Sequence, residues 1–342
     1  MSEAAGAAAP VPVVAVDAMG GDRAPAEIVA GALAAADRLD VEILLAGPPD
    51  VLARHLPGGR PPAGVTLLPA AEVVAMDDEP AAAIRTKKDA SVVRCAEAVR
   101  DGRADAMVGA GNTGATMAAA LLRMGRIRGV QRPAIAVPLP VPGTGRTTLL
   151  LDAGATVDPE PEWLVQWARL GRELARLRFG IAEPTVGLLS NGEEPGKGDE
   201  LRKRAAALLG EVKGFAGNVE GRDLLRGTTD VVVTDGFTGN VALKALEGAL
   251  AGLAGLVLGV VGEPGAPWAA HAAALQSALL AAAAPLLPDN TGGAVLAGVD
   301  GVCVISHGSS TAEAIVNAVR VARDGVTART VERLAEAVRG AG

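Results

Sequence analysis

Val231-Val-Val-Thr-Asp-Gly-Phe-Thr-Gly-Asn240 runs from β-branched residues through a polar, glycine-bearing turn and opens into a helical stretch. A short apolar run of this kind reads as a buried strand, and Asp-Gly at its end stops the strand and leaves backbone amides at the start of a helix. The same order recurs on both sides. Val11–Val16 passes through Asp17-Ala-Met-Gly-Gly-Asp22 into a helix over Ala26–Arg38, and Asp105–Val108 passes through Gly109-Ala-Gly-Asn-Thr-Gly114 into a helix over Ala115–Met124. Val302–Ser306 leads through His307-Gly-Ser-Ser310 into Ala312–Arg323. Further strands are expected at Val41–Ala46, Val65–Leu68, Ile135–Pro140, Thr147–Leu151 and Val186–Leu189, with a helix over Glu162–Arg178. Strands alternating with helices predict a doubly wound α/β fold, a mostly parallel sheet with helices on both faces.

In such sheets ligands bind beyond the carboxyl ends of the strands, so the four turns are expected to share one crevice. Each turn offers N–H groups at a helix N-terminus, where an anion is favoured. The nucleotide-binding pattern G-x-x-x-x-G-K-[ST] is absent, and so are G-x-G-x-x-G after the first strand, H-E-x-x-H and G-x-S-x-G. What remains is a set of small polar groups suited to holding phosphate and polarising a carbonyl. The most informative loop is Leu188-Leu-Ser-Asn-Gly-Glu-Glu-Pro-Gly-Lys-Gly198, which sets two carboxylates and Lys197 between a strand end and a helix.

Composition narrows the class further. The 342 residues carry a net charge of −7 without a long basic run, which argues against a general nucleic-acid binder. Hydrophobic residues make up 49% but aromatic ones only 2%, so Ala, Val and Leu must fill the core. Cys95 and Cys303 lie far apart, without metal-type spacing, and read as buried thiols in a reducing compartment. Met1–Pro12 is expected to be a disordered leader, 13–325 an α/β catalytic unit in one body or two lobes, and 326–342 a C-terminal helix and tail. Leu250–Val261, at twelve residues, is too short to span a membrane, and Trp268–Pro285 contains His271, Gln276 and Ser277. Leu243–Val261 and Trp268–Leu287 predict a projecting helical hairpin within 243–287, with Leu256, Val257, Leu258, Val260, Val261 and Trp268 near its tip.

At the level of motifs the chain resembles the PlsX family, the bacterial phosphate acyltransferases. The matching stretches are Val16-Asp-Ala-Met-Gly-Gly-Asp22, Ala110-Gly-Asn-Thr-Gly114, Gln131-Arg-Pro-Ala134, Gly192-Glu-Glu194, Lys197-Gly198, Gly217-Asn-Val-Glu220, Val233-Thr-Asp-Gly-Phe-Thr-Gly-Asn240 and His307-Gly-Ser-Ser310, in the family's order. The resemblance implies a sheet like those of isocitrate dehydrogenase and phosphotransacetylase. It also implies transfer of a fatty acyl group from acyl carrier protein to inorganic phosphate, with no metal and no cofactor, in phospholipid synthesis. By the same resemblance Lys197, Asn240 and His307 are the catalytic candidates. Asp17, Gly20, Gly21, Asn112, Thr113, Gly114, Asp235, Gly236, Thr238, Gly239, Ser309 and Ser310 are the candidates for holding substrate and phosphate. It further implies a cytoplasmic homodimer whose hairpin meets a membrane surface, a membrane glycerol-3-phosphate acyltransferase as the downstream enzyme, and no nucleic-acid partner. An acidic carrier protein would need a local basic patch, at Arg85, Lys87 and Lys88 or at Arg123, Arg126, Arg128 and Arg132. Two positions depart from the family's pattern: Thr156 stands where Asn is usual, and Ser190-Asn191 reverses the usual order before Gly192.

Overall fold

A computed structural model describes residues 10–263, 267–286 and 288–339. The expected leader therefore falls outside the described residues as far as residue 9, as do 264–266 of the hairpin linker and 340–342 of the tail. The chain opens with β1 (Val13–Asp17), α1 (Ala26–Arg38), β2 (Glu42–Gly47), α2 (Pro49–Ala53), β3 (Val65–Pro69), α3 (Pro80–Thr86), α4 (Ser91–Arg100), β4 (Ala106–Gly109) and α5 (Thr113–Arg123). It continues with β5 (Ala134–Pro140), β6 (Thr147–Leu151), α6 (Pro161–Phe179), β7 (Val186–Leu189), α7 (Glu200–Leu209), β8 (Phe215–Val219) and β9 (Val231–Val233). The last part holds α8 (Gly236–Val261), α9 (Ala272–Ala283), α10 (Pro288–Thr291), β10 (Ala294–Ala297), β11 (Val302–Ile305), α11 (Ala312–Thr327) and α12 (Thr330–Arg339). The chain divides into two compact units, one holding the chain up to Met124 with Gly301–Ala328, the other Gly125–Asp300 with the segment from Arg329 onward.

In the first unit the strand order is β3-β2-β1-β4-β11, and every pair is parallel. These strands read as continuous apolar runs because helices cover both faces of a parallel sheet. Val14, Ala15, Val16, Met107 and Val304 are all buried. Helix α1 lies directly on α11: a Cβ at Gly31 would come within 2.5 Å of the Ala312 carbonyl oxygen, so glycine is what allows the two helices this close. Cys95 on α4 and Cys303 on β11 are free and buried. Burial pushes both thiols up, Cys303 to about 12, and the Asp17 charge adds to the shift at Cys95, so neither is a reactive thiolate.

In the second unit the order is β10-β5-β6-β9-β7-β8. Pairs β6–β9, β9–β7 and β7–β8 are parallel, while β10–β5 and β5–β6 are antiparallel. The reversal at β5–β6 follows from its connection, since a short turn joins only antiparallel neighbours. Trp167, fully buried on α6, donates its indole N–H to the Arg132 carbonyl at 3.0 Å. Helix α12 is tied to α6 by Arg333, which pairs with the buried Glu173 at 2.9 Å.

The hairpin corrects two sequence expectations. The apolar helix is not a twelve-residue run but the later half of α8, 26 residues long, and by length and composition alone α8 could cross a membrane. The charged residues that interrupt the run, Lys244 and Glu247, pair across one helical turn at 2.9 Å. Among the tip residues Leu256, Val260 and Trp268 are exposed, whereas Val257, Leu258 and Val261 are half-buried. The Trp268 indole N–H donates to the Val260 carbonyl at 3.1 Å and fastens the second arm to the end of α8.

Candidate active site

In the first unit β1, β4 and β11 are parallel neighbours, so the turns at their carboxyl ends leave the sheet on one edge. The three turns touch. Asp22 N–H donates to the Gly308 carbonyl at 2.8 Å. A Cβ at Gly20 would lie 2.8 Å from the Gly111 nitrogen, and one at Gly21 would lie 2.8 Å from the Ala110 oxygen and 2.9 Å from that of Gly308. Gly21 also has φ +110°, a conformation that a side chain disfavours.

The polar residues here divide by what they do. Asp17 is buried and accepts the Met19 N–H at 3.1 Å. Burial pushes its carboxyl above the usual range, against the pull of the Ser91 hydroxyl and the Met19 and Gly20 amides. Asn112 caps α5 by accepting Ala115 N–H at 3.0 Å, and its amide donates to the carbonyls of Met76 and Asp78. Ser310 is buried, with its hydroxyl 2.8 Å from that of Ser306 and donating to the His307 carbonyl at 2.5 Å. A Cβ at Gly114 would meet Pro80 at 2.7 Å. These four residues build the turns. Thr113, His307 and Ser309 are instead exposed. The His307 Nδ1 lies 2.8 Å from the Ser309 hydroxyl and accepts the Ser309 N–H at 3.3 Å. Because a backbone N–H can only donate, the neutral ring carries its hydrogen on Nε2.

The Asp235–Asn240 turn and Lys197 belong to the second unit. There β6, β9 and β7 are adjacent and parallel, so the loops after them emerge at one edge. Asp235 caps α8, accepting the Thr238 N–H at 2.7 Å. Arg202 of α7 reaches it from the side: one guanidinium nitrogen lies 2.5 Å from the Asp235 carboxylate, 3.0 Å from the Thr238 hydroxyl and 3.1 Å from that of Thr234. Arg202 also pairs with Asp199 at 2.6 Å. Burial alone would raise the Asp235 carboxyl, but Thr238 and the Arg202 charge hold it below the usual range. Asp152, immediately after β6, is fully buried and accepts the N–H groups of Ile135, Gly154, Ala155 and Thr156 at 2.7–3.2 Å. Burial nonetheless pushes its carboxyl up to about 6.

Helix α8 begins directly on this loop. Gly236 N–H donates to the Thr156 carbonyl at 2.8 Å, and a Cβ at Gly239 would lie only 1.9 Å from the Asp152 oxygen. Thr156 acts here through its backbone, so Thr in place of Asn changes none of these bonds. The side chains of Lys197 and Asn240 are exposed, and neither makes a hydrogen bond or ion pair among the described residues. The second unit therefore presents an ammonium and a carboxamide on elements braced from beneath by ionised, buried groups.

Sequence reasoning missed Arg202 and Asp152. Both left a signal. Arg202 stands in the first turn of a helix, where the helix dipole disfavours a cation unless carboxylates surround it. Asp152 repeats the order seen at Asp17 and Asp235, an apolar strand followed closely by Asp and a glycine turn.

Comparison with known proteins places these features in context. The model of a family described as fatty acid synthesis protein matches residues 13–333. A phosphate acyltransferase of Desulfitobacterium hafniense is 46% identical over 323 residues, covering 94% of this chain and 96% of the relative. One from Pelotomaculum thermopropionicum is 47% identical over 328 residues, covering 95% and 94%. Among solved structures, a phosphotransacetylase from Streptococcus pyogenes superposes with a TM-score of 0.59 at 16% identity, over 92% of this chain and 94% of that one. A branched-chain phosphotransacylase from Enterococcus faecalis gives 0.56 at 15%, over 92% and 99%. At such low identity these two structures speak for the fold alone.

Proposed function

Since the chain belongs to the family of fatty acid synthesis proteins, we propose that it is a phosphate acyltransferase that moves a fatty acyl group from acyl carrier protein to inorganic phosphate. The observation that carries this reading is the pair of exposed, uncommitted polar ends, Lys197 and Asn240, on elements leaving one edge of the second unit's sheet.

The reaction asks little proton chemistry of the protein. Inorganic phosphate loses its second proton near neutrality, above the value of about 6 found in phosphate esters, so a substantial share is dianionic at neutral pH and needs no strong base. One phosphate oxygen attacks the thioester carbon, the carbonyl oxygen takes up the negative charge, and the C–S bond breaks as the carbonyl reforms. The departing thiolate then takes a proton from water, and its parent thiol has a pKa of about 8.5, which makes it a fair leaving group. The protein's work is to orient the two reactants and stabilise the tetrahedral oxyanion. In this reading the Lys197 ammonium and the Asn240 amide supply charge and a neutral donor. His307, through Nε2–H, with Thr113 and Ser309, contributes donors to phosphate. Asp17, Asn112, Asp235 and Ser310 hold the turns, and Gly20, Gly21, Gly114, Gly236 and Gly239 let backbones approach closely. Thr238 acts through Arg202.

For the partners we favour an acidic carrier protein, a second copy of the chain, and a membrane enzyme that consumes acyl phosphate for phospholipid synthesis. In the first basic patch Lys87 is spent on Asp78, at 2.5 Å, leaving Arg85 and Lys88 exposed for docking. In the other, Arg123 is paired with Glu97 at 3.6 Å, while Arg126, Arg128 and Arg132 are exposed. The working place in this reading is the cytoplasm, with α8 and α9 near a membrane surface. The test is phosphate-dependent release of free carrier protein from acyl–carrier protein, with acyl-CoA as the comparison donor. Release without added phosphate, or turnover of acyl-CoA alone, would overturn the reading.

A further inference from the structure

Gly217-Asn-Val-Glu220 runs out of β8, the edge strand beside β7, and its pairing there is irregular. Val186 faces Phe215, but two residues later Leu188 faces Asn218, so β8 carries one residue more than β7 over this stretch. Gly217, at φ +97°, takes up the excess. A bulge of this kind bends the strand and re-aims the side chain beside it, and bulges gather next to functional sites. Here the side chain beside it is Asn218.

The Asn218 amide donates to the Glu194 carbonyl at 3.2 Å. That carbonyl opens the turn Glu194-Pro-Gly-Lys197, and it also accepts the Lys197 N–H at 3.2 Å. Pro195 in the second position and Gly196 at φ +88° in the third are what a type II turn asks for. Because a carbonyl oxygen only accepts, the end of Asn218 that faces it is the NH2 group. The other end, Oδ1, is buried and finds no donor among the described residues. An unpaired buried acceptor costs stability, so the value of Asn218 lies in the bond its amide makes.

The loop has little else to hold it. Glu193 through Lys197 are exposed. Arg222 pairs with Glu193 at 3.0 Å, but both side chains are more than half exposed, and such a pair holds weakly. The Lys197 stem lies across Gly192, where a Cβ would come within 2.9 Å of the Lys197 Cγ.

We propose that Asn218 is a positioning residue: it pins the Glu194–Lys197 turn to β8 and so fixes where the Lys197 ammonium stands. This assignment rests on the reading of Lys197 as the cation that meets phosphate and the oxyanion.

The test joins limited proteolysis to a double-mutant cycle, both on the full chain. Asn218→Ala frees the turn, so trypsin should cut after Lys197 several-fold faster, read by mass spectrometry of the fragments. Asn218→Asp keeps the size but sets a carboxylate against the Glu194 carbonyl, and it should do the same. Each variant should keep the wild-type melting temperature. Each should lose roughly ten- to a hundredfold in kcat, as for a reacting group displaced by about 1 Å. In the Lys197→Ala background the same changes should cost nothing further, since residues that act through one group do not add. Unchanged cleavage in both variants would overturn the proposal, as would a full additive loss on top of Lys197→Ala. Wild-type kcat in both variants while Lys197→Ala is inactive would overturn it too. Wild-type turnover of Lys197→Ala would instead remove the catalytic reading, and faster cleavage in the Asn218 variants would still show the pin.

Discussion

Lys197 and Asn240 differ from the other polar residues of the two clusters in having nothing to hold up. Each is exposed, and its polar end is uncommitted among the described residues. Lys197→Ala should therefore leave thermal stability within about 0.5 kcal/mol, as for an ordinary surface change. It should lower kcat by about a hundredfold, the usual loss when one oxyanion donor is removed. Asn240→Ala should do the same, and Asn240→Asp should be worse because it sets a negative charge where phosphate must approach. An Asp variant as active as wild type would reduce Asn240 to a turn former. Asp152 is the opposite kind of residue, and its charge is a burden that the fold carries. Its carboxyl titrates at about 6 in the folded chain against an ordinary value of 3.8. A raised acid contributes its full stability below about pH 4 and loses it as pH climbs to about 6, after which the curve is flat. The shift corresponds to about 3 kcal/mol. Asp152→Asn removes the titration and turns an amide donor toward backbone N–H groups. Urea unfolding of both proteins should then show the wild type's advantage shrinking from pH 4 to pH 7 by about that amount; a pH-independent difference would mean that the carboxylate is solvated. Lys197 and Asn240 were legible in the sequence as motif positions. Asp152 and Arg202 were not, because their importance lies in burial and in partners far along the chain.

Among the elements, α8 shows most clearly what the sequence could and could not reveal. Its start was legible, since Thr-Asp-Gly after three valines is a strand end and a cap. Its length was obscured by Lys244 and Glu247, which read as an interruption but satisfy each other on the helix surface. Strands β8 and β10 were also missed. Strand β8 contains Gly217 at φ +97° and is largely half-buried or exposed, so it lacks the apolar run that marks a central strand. Strand β10 has four residues and depends on β5 for its pairing. Gly236 and Gly239 at the start of α8 read as turn residues, yet Gly239 works by absence of bulk. A methyl group there would lie 1.9 Å from the Asp152 carbonyl oxygen, a backbone atom with no freedom to yield. Gly239→Ala should then displace the first turn of α8 and lower both stability and activity, with stability falling by roughly 1–3 kcal/mol as for overpacking in a filled core. Activity lost together with a reduced melting temperature is the expected signature, since Asn240 is the next residue. Unchanged melting would show that α8 does not rest on the Asp152 loop.

At the scale of the molecule the unexplained quantity is apolar surface. Helix α8 buries Gly236 and Gly239 at its start but exposes Leu253 (58%), Leu256 (66%) and Val260 (46%), and α9 exposes Leu280 (54%). The sequence indicated a hairpin and apolar residues on it; it could not show which side faces outward, because an Ala- and Leu-rich helix lacks a polar face to mark the choice. Leu258 and Val261, apolar in the same stretch, turn out to be half-buried, so charges placed there would test packing instead of contact. Exposed apolar residues gathered on neighbouring helices in this way mark a partner or membrane surface. The homodimer proposed above assigns the patch to a second copy of the chain. Burying one leucine contributes about 1.5–3 kcal/mol. Replacing both Leu253 and Leu256 with Glu should therefore weaken association by about a hundredfold or more, since each 1.4 kcal/mol is a factor of ten. Sedimentation of the wild type should show a particle of two 34.1 kDa chains, and the double variant a single chain with unchanged circular dichroism. Binding to phospholipid vesicles, measured alongside, separates the alternatives. If the variant stays dimeric but loses vesicle binding, the patch is a lipid-facing surface and the dimer is built elsewhere. If it becomes monomeric while vesicle binding persists, α8 belongs to the subunit contact and the membrane meets another face.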